Sequence, residues 1–175
     1  RLPGGEDGRA TIGRGLAAYA DRGYTLATTE AGLLPYVSGW RAIDTWGLND
    51  ATIAHAGRLD LDYLAAQDPK VVLIHAPHTP VFADPRLGAD LGPEWDVMVR
   101  DLIGFCEARG DTLAAAWGPS HTRAFYFYVA RDIPEHDAFV AIIRDARFPF
   151  IGGPGVFIDW AALSGTAAWA LPEAE

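Results

Sequence analysis

The stretch from Thr28 to His55 gathers acidic, amide, hydroxyl and aromatic side chains around two short apolar runs, and it holds the residue types that do chemistry. Three carboxylates, Glu30, Asp44 and Asp50, fall at the ends of predicted strands or in the turns beside them. Grouped carboxylates work as general acid and base when their surroundings push their pKa values apart. Their plainer role is as helix caps and turn acids. Tyr36, Trp40 and Trp46 offer planar faces with a polar tip, suited to the apolar faces of sugars, against ordinary core packing as the plainer role.

The other reactive side chains carry less. His55, His75, His78 and His121 are the candidate metal ligands, and His75-Ala76-Pro77-His78 brings two imidazoles close in sequence. Pro77 excludes a regular helix there and no third ligand stands at zinc spacing, so no metal is expected. Ser38 and Ser120 lack the G-x-S-x-G setting of a serine nucleophile. Cys106 stands alone among apolar residues, which excludes an internal disulfide and reads as a buried small hydrophobe.

A strand ending in Glu30, then AGLLPYVSGW, a strand with Ile43-Asp44, and GLND leading into Ile53-Ala54-His55 resembles the soluble extracytoplasmic C-terminal domain of bacterial GT-C membrane glycosyltransferases. These enzymes use polyprenyl-phosphate sugars, and the arabinofuranosyltransferase group is similar in this region. The likeness runs from about Gly15 to Pro80 and places Glu30, Tyr36, Ser38, Asp44, Gly47, Asn49 and Asp50 at motif positions, with Glu30 where Asp is commoner. The transmembrane helices of such an enzyme, and their membrane-side acidic residue, are absent from this chain. The resemblance therefore implies a non-catalytic domain that shapes acceptor or sugar binding. The expected ligand-binding residues are Glu30, Tyr36, Ser38, Trp40, Asp44, Asn49, Asp50 and His55, with no catalytic residue and no cofactor. The implied partners are its own N-terminal transmembrane domain and a glycan or lipid-linked sugar, and the implied place is the extracytoplasmic face of the bacterial cell membrane. The alternatives are a free-standing hydrolase using Glu30, Asp44 and Asp50 with His75 and His78, or a protein-interaction domain.

Composition sets outer bounds. The 175 residues fit one domain, 1–175, with half of them apolar, so a real core is expected. No apolar run approaches the roughly 18 residues a membrane span needs. The start at RLPGGEDGRA shows neither an initiator Met nor a signal pattern and is expected of a truncated chain. A net charge of −9, one lysine and no basic stripe argue against nucleic acid as a partner.

The elements that must position these groups follow from pattern. A helix is expected over Thr11–Arg22, closed by Gly23. Strands are expected near Tyr24–Thr29, Ala42–Trp46 and Lys70–His75, the last an apolar run suited to burial on both faces. Asn49 or Asp50 should cap a short helix at Ala51–Ala56, and Asp60 another at Leu61–Ala66. His78–Gly92 is expected to be a long loop or lid. Pro93 opens a helix with an apolar stripe ending before Gly110. Thr112–Trp117 and Arg123–Ala130 should form an antiparallel pair, followed by a helix over Pro134–Arg147; Val156–Trp169 has no clear assignment. The order α-β-(α)-β-α-β-α-β-β-α predicts an α/β three-layer sandwich with a mainly parallel central sheet and an antiparallel edge hairpin. No G-x-G-x-x-G follows a strand, and Gly13-Arg14-Gly15 precedes the first one, so a Rossmann dinucleotide site is not expected.

Overall fold

A computed structural model of the chain describes residues 7–76, 92–120, 123–146, 149–150, 153–154 and 156–157. The expected lid at His78–Gly92, save Gly92 itself, and most of Val156–Trp169 lie outside the described residues, as do His78 and His121.

The first helix, α1, runs Gly8–Ala17 and begins earlier than its apolar spacing indicates, because Asp7 caps it with a carboxylate accepting from the Arg9 N–H at 2.9 Å. A short 3₁₀ turn at Ala20–Arg22 ends on Gly23, whose φ of 69° suits glycine. Then come β1 (Thr25–Thr28), α2 (Leu33–Ser38), β2 (Arg41–Asp44), α3 (Ala51–Ala56), α4 (Leu61–Gln67) and β3 (Val71–Ala76). The long α5 (Pro93–Arg109), β4 (Thr112–Ser120), β5 (Arg123–Val129) and α6 (His136–Asp145) follow, with two-residue strands β6 (Pro149–Phe150), β7 (Gly153–Pro154) and β8 (Val156–Phe157).

The main sheet is mixed, in the order β2-β1-β3-β5-β4-β8. β2, β1 and β3 run parallel, whereas β5, β4 and β8 pair antiparallel with their neighbours. The hairpin β4–β5 is antiparallel, and its β5 strand docks directly on β3.

Side chains alternate across a strand, so β1, β3, β4 and β5 each feed two cores. Leu26, Leu73, Phe125 and Phe127 meet Ile12 and Leu16 of α1, Leu34 of α2 and Phe139 and Ile143 of α6 on one face. Ala27, Ile43, Val72, Ile74, Tyr126 and Tyr128 meet Ile53 of α3, Leu64 of α4 and Met98, Val99 and Leu102 of α5 on the other. Cys106 is fully buried in this second core, where desolvation and the neighbouring Asp111 carboxylate push its thiol pKa up. The Gly13-Arg14-Gly15 run has a packing cause. A Cβ on Gly13 would lie 2.9 Å from the Val37 Cβ and one on Gly15 2.5 Å from Ile142 Cγ2, so these glycines let α1 approach α2 and α6.

Candidate functional site

The path of the chain through the sheet marks where a site belongs. From β1 the chain crosses by α2 to β2 on the first face, then returns by α3 and α4 on the opposite face to β3, on the other side of β1. Strand order thus reverses at β1, and the helix that follows β1, α2, packs on the first face while the helix next after β3, α5, packs on the opposite one. A crevice at such a switch point, beyond the carboxyl ends of parallel strands, is the usual ligand position in open α/β sheets.

Glu30 and His75 meet there. Glu30 follows β1, its N–H donating to Thr28 Oγ1 at 2.9 Å, and His75 is the penultimate residue of β3. The carboxylate Oε1 lies 3.0 Å from His75 Nδ1, and Oε2 takes a contact from Arg9 Nη1 of α1. Register places His75 opposite Phe125, and the two rings stack with centroids 4.6 Å apart; the Arg9 guanidinium sits 5.2 Å from the same phenyl centroid. Thr29 Oγ1 accepts from the His75 N–H at 2.8 Å, fixing the backbone beneath the pair. All three ionisable side chains are about one-quarter exposed, so the cluster opens to solvent while being held from below. A carboxylate at Nδ1 fixes the tautomer and orientation of the imidazole, as in acid/base pairs.

The remaining expected site residues have other occupations. Asp44 is buried at the end of β2 and accepts from Trp46 N–H at 3.1 Å and Asn49 N–H at 2.8 Å, closing the turn between them. Asp50 caps α3, accepting from Thr52 and Ile53 N–H at 3.0 and 3.1 Å, and its second oxygen accepts from the Tyr63 hydroxyl at 2.9 Å. The Asn49 side chain is on the surface, and His55 Nδ1 turns back onto the Ala51 carbonyl one helical turn earlier. Ser38 is buried and closes the end of α2, donating to the Pro35 carbonyl and accepting from Trp40 N–H at 3.3 Å each. Trp40 is a core residue whose Nε1 donates to the Leu16 carbonyl at 3.0 Å, with its ring against Phe139. Tyr36 is 86% exposed on α2. Among the described residues, Glu30, Asp44 and Asp50 therefore share no partner. Among the described residues, no group of three or more His, Cys, Asp or Glu side chains is placed to hold a metal ion.

Sequence reasoning missed Arg9, which lies ahead of the expected helix start; the signal was Asp7, a capping residue before the apolar positions Ala10, Ile12 and Leu16. It also missed a groove of about 720 Å³ on the second face, between α3 and the first turns of α5, lined by Trp46, Ile53, Arg58, Glu94, Val97 and Asp101 among others. Its residues are far apart in sequence, and only the docking of α5 beside α3 unites them.

Fold and site together define a mixed α/β domain with a charged cluster at its switch point and a groove on the second face. The family model described as "Domain of unknown function (DUF8728)" matches residues 4–145, and the chain belongs to that family. No curated protein and no solved structure matches it.

Proposed function

We propose that the chain is the soluble extracytoplasmic domain of a polyprenyl-phosphate-sugar-dependent membrane glycosyltransferase of the GT-C type. In this reading it is a three-layer sandwich that stands beside its own N-terminal transmembrane domain on the extracytoplasmic face of a bacterial membrane. It shapes acceptor or sugar binding and is not catalytic alone. The observation that carries the reading is what the motif carboxylates do. Asp44 and Asp50 are held by backbone N–H groups and a tyrosine hydroxyl, which makes them devices for fixing a turn rather than proton-transfer groups. That turn displays Trp46 and Leu48 at 41% and 80% exposure, so the motif maintains a surface. No described helix is long and apolar enough to cross a membrane, which leaves spanning to another part of the proposed enzyme.

The test is the reading frame that encodes the chain, combined with transfer assays on membranes carrying its product. Expected are several apolar spans continuous with this segment, and sugar transfer from a polyprenyl phosphate that falls when the turn is disrupted. A reading frame without such spans overturns the proposal.

The Glu30–His75 contact of 3.0 Å favours a second reading, a free-standing hydrolase. There Glu30 would orient the imidazole and His75 would take a proton from water, with Arg9 balancing the carboxylate charge. Asp44 and Asp50 drop out of that machinery because their oxygens are engaged. Hydrolysis of a nitrophenyl ester, phosphate or glycoside by the purified chain, abolished in His75→Gln, would replace the first reading with this one.

A further inference from the structure

Trp46 is a large apolar side chain that stays 41% exposed although everything around it is fixed. Its N–H is bound by Asp44 Oδ1, and the next residue, Gly47, donates its N–H to the Asp44 carbonyl at 3.0 Å. Gly47 has φ of 86°, and a Cβ there would lie 2.9 Å from the Ala54 nitrogen, so the turn is pressed onto α3 as closely as a backbone allows. The indole is braced on one side by Trp95 of α5, with centroids 5.0 Å apart and planes at 55°. A buried carboxylate, a positive-φ glycine and a second tryptophan thus hold one aromatic ring at the edge of the α3/α5 groove.

The groove supplies the complement to that ring. Ile53 and Met98 give it an apolar floor, and Val97, 54% exposed, continues the apolar surface up the α5 wall. Arg58 from the α3–α4 link provides hydrogen-bond donors, and Glu94 and Asp101 of α5 provide acceptors. No described residue pairs with Arg58 or Asp101. A volume of about 720 Å³ falls within the roughly 300–1,000 Å³ of small-molecule sites. Donors and acceptors of both charges around an aromatic platform match a neutral ligand with an apolar face and a rim of hydroxyl groups. A purely apolar ligand would leave the charged groups unpaired, and a strongly anionic one would face two carboxylates.

We propose that the α3/α5 groove is a saccharide-binding site in which a sugar ring lies on Trp46 while Arg58, Glu94 and Asp101 hold its hydroxyls. The site deepens the glycosyltransferase-domain reading and rests on it for its biological sense, but its binding is measurable on the chain alone.

Titration calorimetry of the 175-residue chain with an arabinofuranosyl tetrasaccharide and a mannopyranosyl tetrasaccharide tests it. Saturable binding of at least one is expected, weakened about tenfold by Trp46→Ala. Asp101→Asn and Val97→Arg, both at exposed positions where folding is not at issue, should also weaken it, the first by removing an acceptor charge and the second by filling the groove. Asp145→Asn, exposed on α6 of the other face, should leave it unchanged. Absence of saturable binding by either sugar overturns the proposal, as does binding that Asp101→Asn and Val97→Arg both leave intact. Such a failure leaves the glycosyltransferase reading standing if membrane transfer still depends on the domain. Sugar binding by a chain whose reading frame carries no membrane spans retires that reading and keeps the site.

Discussion

Asp44 is a charge with almost no exposed surface, held by the N–H groups of Trp46 and Asn49. Removing the carboxylate leaves those two donors in a turn that can no longer bend around an acceptor. Asp44→Ala should therefore cost about 1–3 kcal/mol, read as a shift of the urea midpoint at constant slope. Asp50→Ala should cost nearer about 1 kcal/mol, the usual loss for a helix cap, since the Tyr63 hydroxyl is only half-buried and can turn to water. Equal losses from the two substitutions would contradict the different burial of their partners. The capping role of Asp50 was legible from its position ahead of Ala51–Ala56. That Asp44 folds back on a turn rather than facing a cleft was not, because a strand-end carboxylate satisfied five residues later looks the same in sequence as one aimed at a ligand.

Elements are anchored at the other end of the sheet by a line of charges. Lys70 precedes β3 and contacts Asp68 at 2.7 Å and Asp132 at 3.0 Å; Asp132 follows β5, so the ammonium ties two neighbouring strands together. The hydrogen bond from Lys70 holds the Asp132 carboxyl below its usual range, and the Tyr24 hydroxyl, 2.6 Å away, does the same for Glu135 just before α6. A carboxylate whose folded pKa is lowered contributes stability that is present above its unfolded pKa and lost as pH falls through the folded one. Thermal midpoints should thus decline on acidification below the ordinary carboxylate range, and Asp132→Asn should flatten that decline while lowering the neutral-pH midpoint slightly, given how exposed this pair's acidic partner is. An identical acid profile in the mutant would rule the contact out as a contributor. At this scale most of the fold was readable: apolar runs and caps located β1, β2, β3, α3, α4 and α5 to within a few residues. What could not be read was pairing, since whether β5 meets β3 or leaves it for the edge depends on contacts across fifty residues. The Glu30–His75 meeting depends on the same kind of contact, because it requires β1 and β3 to be neighbours.

Across the whole molecule, one sheet separates two apolar cores that share its strands. Phe127 is completely buried in the first core and Tyr126, its neighbour in sequence, completely buried in the second. Because β1, β3, β4 and β5 contribute to both, neither core can come apart without exposing strands of the other, and unfolding should be a single cooperative event. Phe127→Ala should cost about 3–5 kcal/mol and lower the midpoints followed by helix signal and by tryptophan emission together. Two separated transitions would mean that the two cores melt independently. The paired indoles of Trp46 and Trp95 bear on how such a transition is followed. Two chromophores 5.0 Å apart and inclined at 55° are close enough to couple their excited states, so circular dichroism of the folded chain should show a bisignate exciton band in the far ultraviolet, superimposed on the amide signal and lost in Trp46→Ala. Helix content calculated from the ellipticity of this protein should then be in error, and a change in that band would report movement of one tryptophan relative to the other without any added label.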